Sequence, residues 1–124
     1  MDAFPLIAVD VSYEKLEFAK RFGATHGINA MKVDPVEAIG AISSGGVDYA
    51  LDAVGLPTTQ EQILRSVHDG APGLRRGGTA LLIGLTPSGT EPVLNTNLFA
   101  GGRSFTRTHG GDCRPDRDFP TFVR

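Results

Sequence analysis

The chain has 124 residues, 40% of them hydrophobic and 21% charged, enough for one domain with a core of its own and too few for two. These are the proportions of ordinary globular proteins and exclude a disordered polymer or a fibrous repeat, while 16 glycines and 8 prolines announce many turns. A formal net charge of −2 offers no broad attraction for nucleic acid or an anionic membrane, and an acidic first half set against a mildly basic second half is too weak a contrast to define a partner. The single cysteine, Cys113, cannot form an intrachain disulfide and fits a reducing, cytoplasmic setting. No apolar run approaches the roughly 20 residues that span a bilayer, and the opening MDAFPLIAVD lacks the plan of a signal peptide.

Leu6 to Val9 is a short apolar run closing on Asp10, as expected of a strand buried on both faces in a parallel sheet. Ser12 is placed to cap a helix in which Tyr13, Leu16, Ala19 and Phe22 fall at helical spacing, and Gly23 ends it. His26 to Asn29 predicts a second strand. Asp34, Pro35 and Glu37 then supply a cap, a first-position proline and a glutamate three residues after the cap, with Val36, Ile39 and Ile42 as the buried stripe.

GGVDYALDAVG (45–55) opens as a turn and continues as a strand with Val47, Tyr49 and Leu51 on one face, bracketed by Asp48 and Asp52. Thr58 and Glu61 make a second capping-box pattern, ahead of a helical face of Gln60, Ile63, Leu64 and Val67. A glycine-rich loop carrying Arg75 and Arg76 (70–78) leads into TALLIGL (79–85), the most convincing buried strand. Arg103 to Thr108 predicts a last strand, and RPDRDFPTFVR the start of a helix. Strands alternating with helices imply parallel pairing through right-handed crossovers, hence an open α/β sheet.

Asp10 stands at the carboxyl end of a strand, where open α/β sheets bind ligands. A carboxylate there can accept both hydroxyls of an adenosine ribose and repel a 2′-phosphate, favouring NAD over NADP. It can equally finish the strand and favour the N-terminus of the next helix. Lys15 can reach the same ribose as a donor or lie solvated. His109, Asp112 and Cys113 lie close in sequence, but zinc needs three or four converging ligands, and the plainer expectation is a loop histidine and a free thiol.

Four linked segments, IAVDVSYEKLEFAKRFGATHGIN, GGVDYALDAVG, LLIGLTP and GGRSFTRTHGGDCRPDRDFP, resemble in order and spacing the coenzyme-binding domain of zinc-dependent medium-chain alcohol dehydrogenases. Within that family they are most similar to the glutathione- and mycothiol-dependent formaldehyde dehydrogenases. The resemblance covers nearly the whole chain. It implies that Asp10 binds the adenosine ribose of NAD with Lys15 assisting, that Ala53, Val54 and Gly55 line the adenine side of the cleft, and that Ile83, Gly84 and Leu85 sit beside the nicotinamide. It also implies that backbone groups of Ile83, Thr108 and Gly110 hold the carboxamide. Arg107 departs from the glycine usual in the family and is expected to crowd the nicotinamide pocket.

The resemblance further implies a Rossmann-like sheet of order 3-2-1-4-5-6. The family's glycine loop, G-x-G-x-x-G, belongs upstream of residue 6, and no two glycines of this chain are separated by a single residue. Residues 1–124 are therefore expected to be a partial NAD-binding domain lacking strand 1, that loop and the catalytic zinc domain. The strands at 6–9 and 47–51 would then show unpaired edges, leaving the chain marginal, paired with another chain or homo-oligomer, or collapsed so that the two meet. The first functional expectation is the coenzyme-binding portion of an NAD-linked alcohol dehydrogenase, without catalytic or metal-binding residues of its own and without turnover alone. The alternatives are a standalone nucleotide-binding or interaction module, and a non-functional truncated product.

Overall fold

The computed structural model describes residues 3–123. The first strand, β1 (Ile7–Asp10), leads into helix α1 (Tyr13–Lys20), strand β2 (His26–Asn29), helix α2 (Pro35–Ile42) and strand β3 (Tyr49–Asp52). Helix α3 (Pro57–Ser66), strand β4 (Thr79–Leu82), a 3-10 segment at Thr96–Gly101, strand β5 (Ser104–Arg107) and helix α4 (Pro115–Phe122) complete the order. Every strand pair is parallel. The alternation of strand and helix thus produces the open α/β arrangement expected.

The strands form two sheets, β1-β2 and β3-β4-β5, and β1 and β3 are not paired with each other. Direct meeting of these two strands, one outcome left open by the sequence, is not what the chain adopts. Helix α2 packs on both β2 and α3 and so links the halves.

Local chemistry sets the helix starts. The Ser12 hydroxyl accepts from the Lys15 amide at 3.4 Å, and Asp34 Oδ1 accepts from the amides of Val36 and Glu37 at 2.8 and 3.3 Å, with Pro35 in the first helical position. The Thr58–Glu61 capping box is not made. Pro57 fixes its own φ and starts α3 one residue ahead of Thr58, so Leu56 becomes the cap residue and offers no side-chain acceptor. Glu61 instead accepts the Val93 amide at 2.8 Å, and the Thr59 hydroxyl donates to the Leu56 carbonyl.

The core lies between α3 and the three-stranded sheet, where Ile63, Leu64, Ala80 and Leu82 are buried against Ala50, Leu94, Leu98 and Phe105. The face of Gln60, Ile63, Leu64 and Val67 is buried as its spacing predicts. The first strand is not buried on both faces: Leu6 and Val9 are 44% and 40% exposed, and among the described residues β1 pairs with β2 alone. On α1 only Leu16 is buried, over Gly27, while Tyr13 and Phe22 stay exposed. Among the described residues no helix is long and apolar enough to cross a membrane.

Candidate functional site

Because the strands run parallel, their carboxyl ends gather on one edge of each sheet. In the three-stranded sheet Asp52, Leu82 and Arg107 stand side by side in register. The segments that follow them, Ala53–Gly55, Ile83–Leu85 and Thr108–Gly110, therefore form one rim. TALLIGL does not remain a strand throughout. After Leu82 the chain turns, and the amides of Ile83 and Gly84 both donate to the Asp52 carbonyl at 2.8 Å.

Two glycines let the first two loops of the rim touch. Gly55 has φ +86°, a left-handed conformation, and a Cβ there would run into the backbone of Leu85; a Cβ on Gly84 would run into the backbone of Gly55. The Thr108 amide continues the ladder by donating to the Leu82 carbonyl at 3.1 Å, and its hydroxyl accepts from the Gly111 amide at 2.9 Å. Gly110 has φ +63°. Arg107 Nη2 donates to the Gly84 carbonyl at 3.4 Å, so its side chain lies over the part of the rim that it is expected to crowd.

Asp10 ends β1 in the other sheet, and its carbonyl accepts from the Ala30 amide at 3.1 Å. Its carboxyl group makes the strand-end contact read from the sequence and also approaches Lys15. Oδ1 accepts from the Ser12 amide at 2.8 Å and finishes the strand, while Oδ2 faces Lys15 Nζ at 4.0 Å. The Ser12 cap makes this approach possible, since it starts α1 at Tyr13 and leaves Lys15 in the first turn. The Asp10 side chain is 28% exposed and that of Lys15 74%, so a ligand can reach both. An open hollow of about 730 Å³ lies beside α1 and takes in Lys15 but neither Asp10 nor any rim residue.

Two residues of the site were not foreseen. Asp52 is 2% exposed, and its carboxyl group accepts the Val54 amide at 3.0 Å and the Gly55 amide at 3.1 and 3.2 Å. Gln60, 1% exposed, donates through Nε2 to the Thr86 hydroxyl at 2.5 Å and holds the end of the β4 loop against α3. An aspartate ending a strand three residues before a glycine is the available signal for the first, since such a side chain takes up amides of the turn that follows it.

These residues suit part of a dinucleotide. A carboxyl oxygen beside a lysine fits ribose hydroxyls. A catalytic zinc does not fit. No group of three or more His, Cys, Asp or Glu side chains converges among the described residues, and His109, Asp112 and Cys113 are not gathered into one.

The chain belongs to the zinc-binding dehydrogenase family, whose pattern it matches over residues 1–124. Its relatives are alcohol and formaldehyde dehydrogenases of the medium-chain, zinc-dependent type. It is 33% identical over 119 residues to "Probable S-(hydroxymethyl)glutathione dehydrogenase 1" of Schizosaccharomyces pombe, covering 95% of this chain and 30% of that protein. Among solved structures it superposes with a TM-score of 0.86 on an alcohol dehydrogenase zinc-binding domain protein from Burkholderia ambifaria, at 35% identity over 98% of this chain and 31% of the other. Benzyl alcohol dehydrogenase from Acinetobacter calcoaceticus gives a TM-score of 0.86 at 34% identity, over 98% and 32%. The chain thus spans about a third of the length of the relatives it matches.

Proposed function

We propose that this chain is the coenzyme-binding portion of an NAD-linked, zinc-dependent alcohol dehydrogenase, acting on a primary alcohol, an aldehyde or a thiol adduct of formaldehyde. Asp10 accepts the adenosine ribose hydroxyls, with Lys15 as its neighbouring donor. Ala53, Val54 and Gly55 border the adenine, Ile83, Gly84 and Leu85 border the nicotinamide, and backbone groups of Ile83, Thr108 and Gly110 hold the carboxamide. NAD supplies hydride acceptance when bound. This chain's part is to bind and orient its adenosine and nicotinamide ends, the G-x-G-x-x-G loop for the phosphates being absent from the sequence.

The observation that carries this reading is Asp10 at the carboxyl end of β1, with one oxygen committed to Ser12 and the other facing an exposed lysine. The unpaired edges of β1 and β3, with Val9, Tyr49 and Leu51 exposed, support pairing with a further strand of another segment or another chain. Calorimetry with NAD, NADP and adenosine tests the site. Millimolar NAD and adenosine give heat, NADP binds more weakly, and Asp10→Ala removes all three signals. Absence of heat with NAD and adenosine at millimolar concentration refutes the reading. A module that binds nucleotide without catalysis is the second reading, supported by the same Asp10–Lys15 pair. The two separate when the chain is joined to the remaining two thirds of a relative: alcohol oxidation with NAD supports the enzyme, and none supports the module.

A further inference from the structure

Four backbone N–H groups from two separate loops converge on Asp52. Val54 and Gly55 donate to its carboxyl group, and Ile83 and Gly84 to its carbonyl. The side chain is almost completely buried and makes no ion pair among the described residues, so its whole polar capacity goes to backbone amides. Ending β3 needs one acceptor; here both carboxyl oxygens are engaged, which offsets the cost of burying the group. The two loops are also interlocked directly, because Gly55 and Gly84 each leave room where a Cβ would meet the other loop's backbone. Displacing either loop breaks bonds to the same residue.

We propose that Asp52 is a positioning residue that fixes the adenine side of the cleft to its nicotinamide side, an inference that rests on the coenzyme reading above. It touches neither half of the ligand. It sets the spacing between Ala53–Gly55 and Ile83–Leu85, so that a ligand reaching both sides gains from their being held in place together. A ligand confined to the adenosine half gains nothing from that spacing. The gain of NAD over AMP therefore reads the role of Asp52, whereas a merely structural residue would weaken both ligands alike.

Titration of this chain with AMP and with NAD tests the proposal. In the wild type NAD binds more tightly than AMP. Asp52→Asn keeps Oδ1 and the main-chain carbonyl but turns the acceptor facing the Gly55 amide into a donor, so the unfolding midpoint falls, while at temperatures where the variant is folded AMP affinity holds and the advantage of NAD falls by about fivefold or more. Gly84→Ala sets a methyl against the backbone of Gly55, pushing the loops apart with the Asp52 carboxyl group itself unchanged, and produces the same selective loss. The proposal is overturned if a folded variant of either kind keeps the full advantage of NAD, if AMP and NAD weaken in parallel, if the wild type binds AMP and NAD equally, or if neither variant folds. Failure of the wild type to bind AMP at all refutes the coenzyme reading itself and this inference with it.

Discussion

The two halves of the molecule use the same strand-helix alternation and reach different degrees of closure. In the β3-β4-β5 half, α3 lays Ile63 and Leu64 onto Ala80 and Leu82, and Leu98 and Phe105 close the side. Polar ties reinforce that half at its amino end: Arg103 donates to Asp69 at 2.7 Å and to the Leu64 carbonyl at 3.0 Å, and the His68 ring lies between Asp48 and the Asp69 carbonyl. In the β1-β2 half, Leu16, Ile28 and Ile39 are buried singly, one from each of three elements. A sheet of three strands presents enough width for a helix to interdigitate with it, and a sheet of two does not. The half that carries Asp10 is the less consolidated one.

The comparison breaks if both halves tolerate truncation equally. Leu64→Ala, at a site only 1% exposed, is expected to cost about 3 to 5 kcal/mol, because the residual cavity lies in a cluster with three other buried and four partly buried residues. Leu16→Ala, at 5% exposure on a helix whose other apolar residues face solvent, is expected to cost about 2 kcal/mol, since its surroundings can close over the gap. Denaturant unfolding of the two variants decides the matter. Native-state hydrogen exchange sharpens it, with β4 amides exchanging last and β1 amides first.

Most element positions were legible in the sequence, whereas the asymmetry was not, since Leu6 to Val9 reads as a strand buried on both faces. Strand β2 and helices α2 and α4 fall where caps, prolines and apolar spacing place them, because these are local signals that tertiary contacts here do not override. The buried face of α3 was legible from its period, but its start was not: Pro57 outcompetes the Thr58 pattern by fixing the backbone first. The turn after Leu82 was missed because Ile83 and Leu85 are apolar and read as strand, while the acceptor that diverts the amides of Ile83 and Gly84, the Asp52 carbonyl, is 31 and 32 residues away and invisible to a local pattern. Asp10 and Lys15 were legible as a pair. Asp52 was seen only as a residue bracketing a strand, since nothing local reveals that one residue collects amides from two loops.

Helix caps give a smaller contrast, within the β1-β2 half itself. Asp34 accepts two amides at 2.8 and 3.3 Å, whereas Ser12 accepts one at 3.4 Å, near the limit of a useful bond. Asp34→Ala is therefore expected to lower stability by about 1 to 2 kcal/mol and Ser12→Ala by about 0.5 kcal/mol. The Ser12 variant has a second effect: loosening the first turn of α1 frees Lys15 from Asp10. Adenosine affinity then drops in Ser12→Ala but not in Asp34→Ala, although the latter is the more destabilised protein. Thermal melts alongside adenosine titration read both quantities, and the reverse order would remove Ser12 from the site.

The smallest expected effect is electrostatic and belongs to the consolidated half. The Arg103 guanidinium, hydrogen-bonded to Asp69, holds that carboxyl below its ordinary value of 3.8, with the charges of Arg103, His68 and Arg75 acting in the same direction. A carboxyl depressed in the folded state contributes stability that is fully present above the unfolded value and is lost as pH falls through the folded one. The Asp69–Arg103 pair thus stabilises the chain throughout the neutral range and begins to fail only below about pH 4. Asp69 is 59% exposed, so solvent screening limits the contribution to below about 1 kcal/mol. Arg103 keeps its bonds to the Leu64 and Arg65 carbonyls when the partner is protonated, which limits the loss further. Urea midpoints at pH 6 and pH 3 for the wild type and Asp69→Asn isolate the pair. The variant is less stable at pH 6, and the gap narrows at pH 3, below the ordinary value of 3.8, as the unfolded wild type takes up the proton that the folded state resists; a gap of equal size at both values would show that the pair contributes through packing rather than charge.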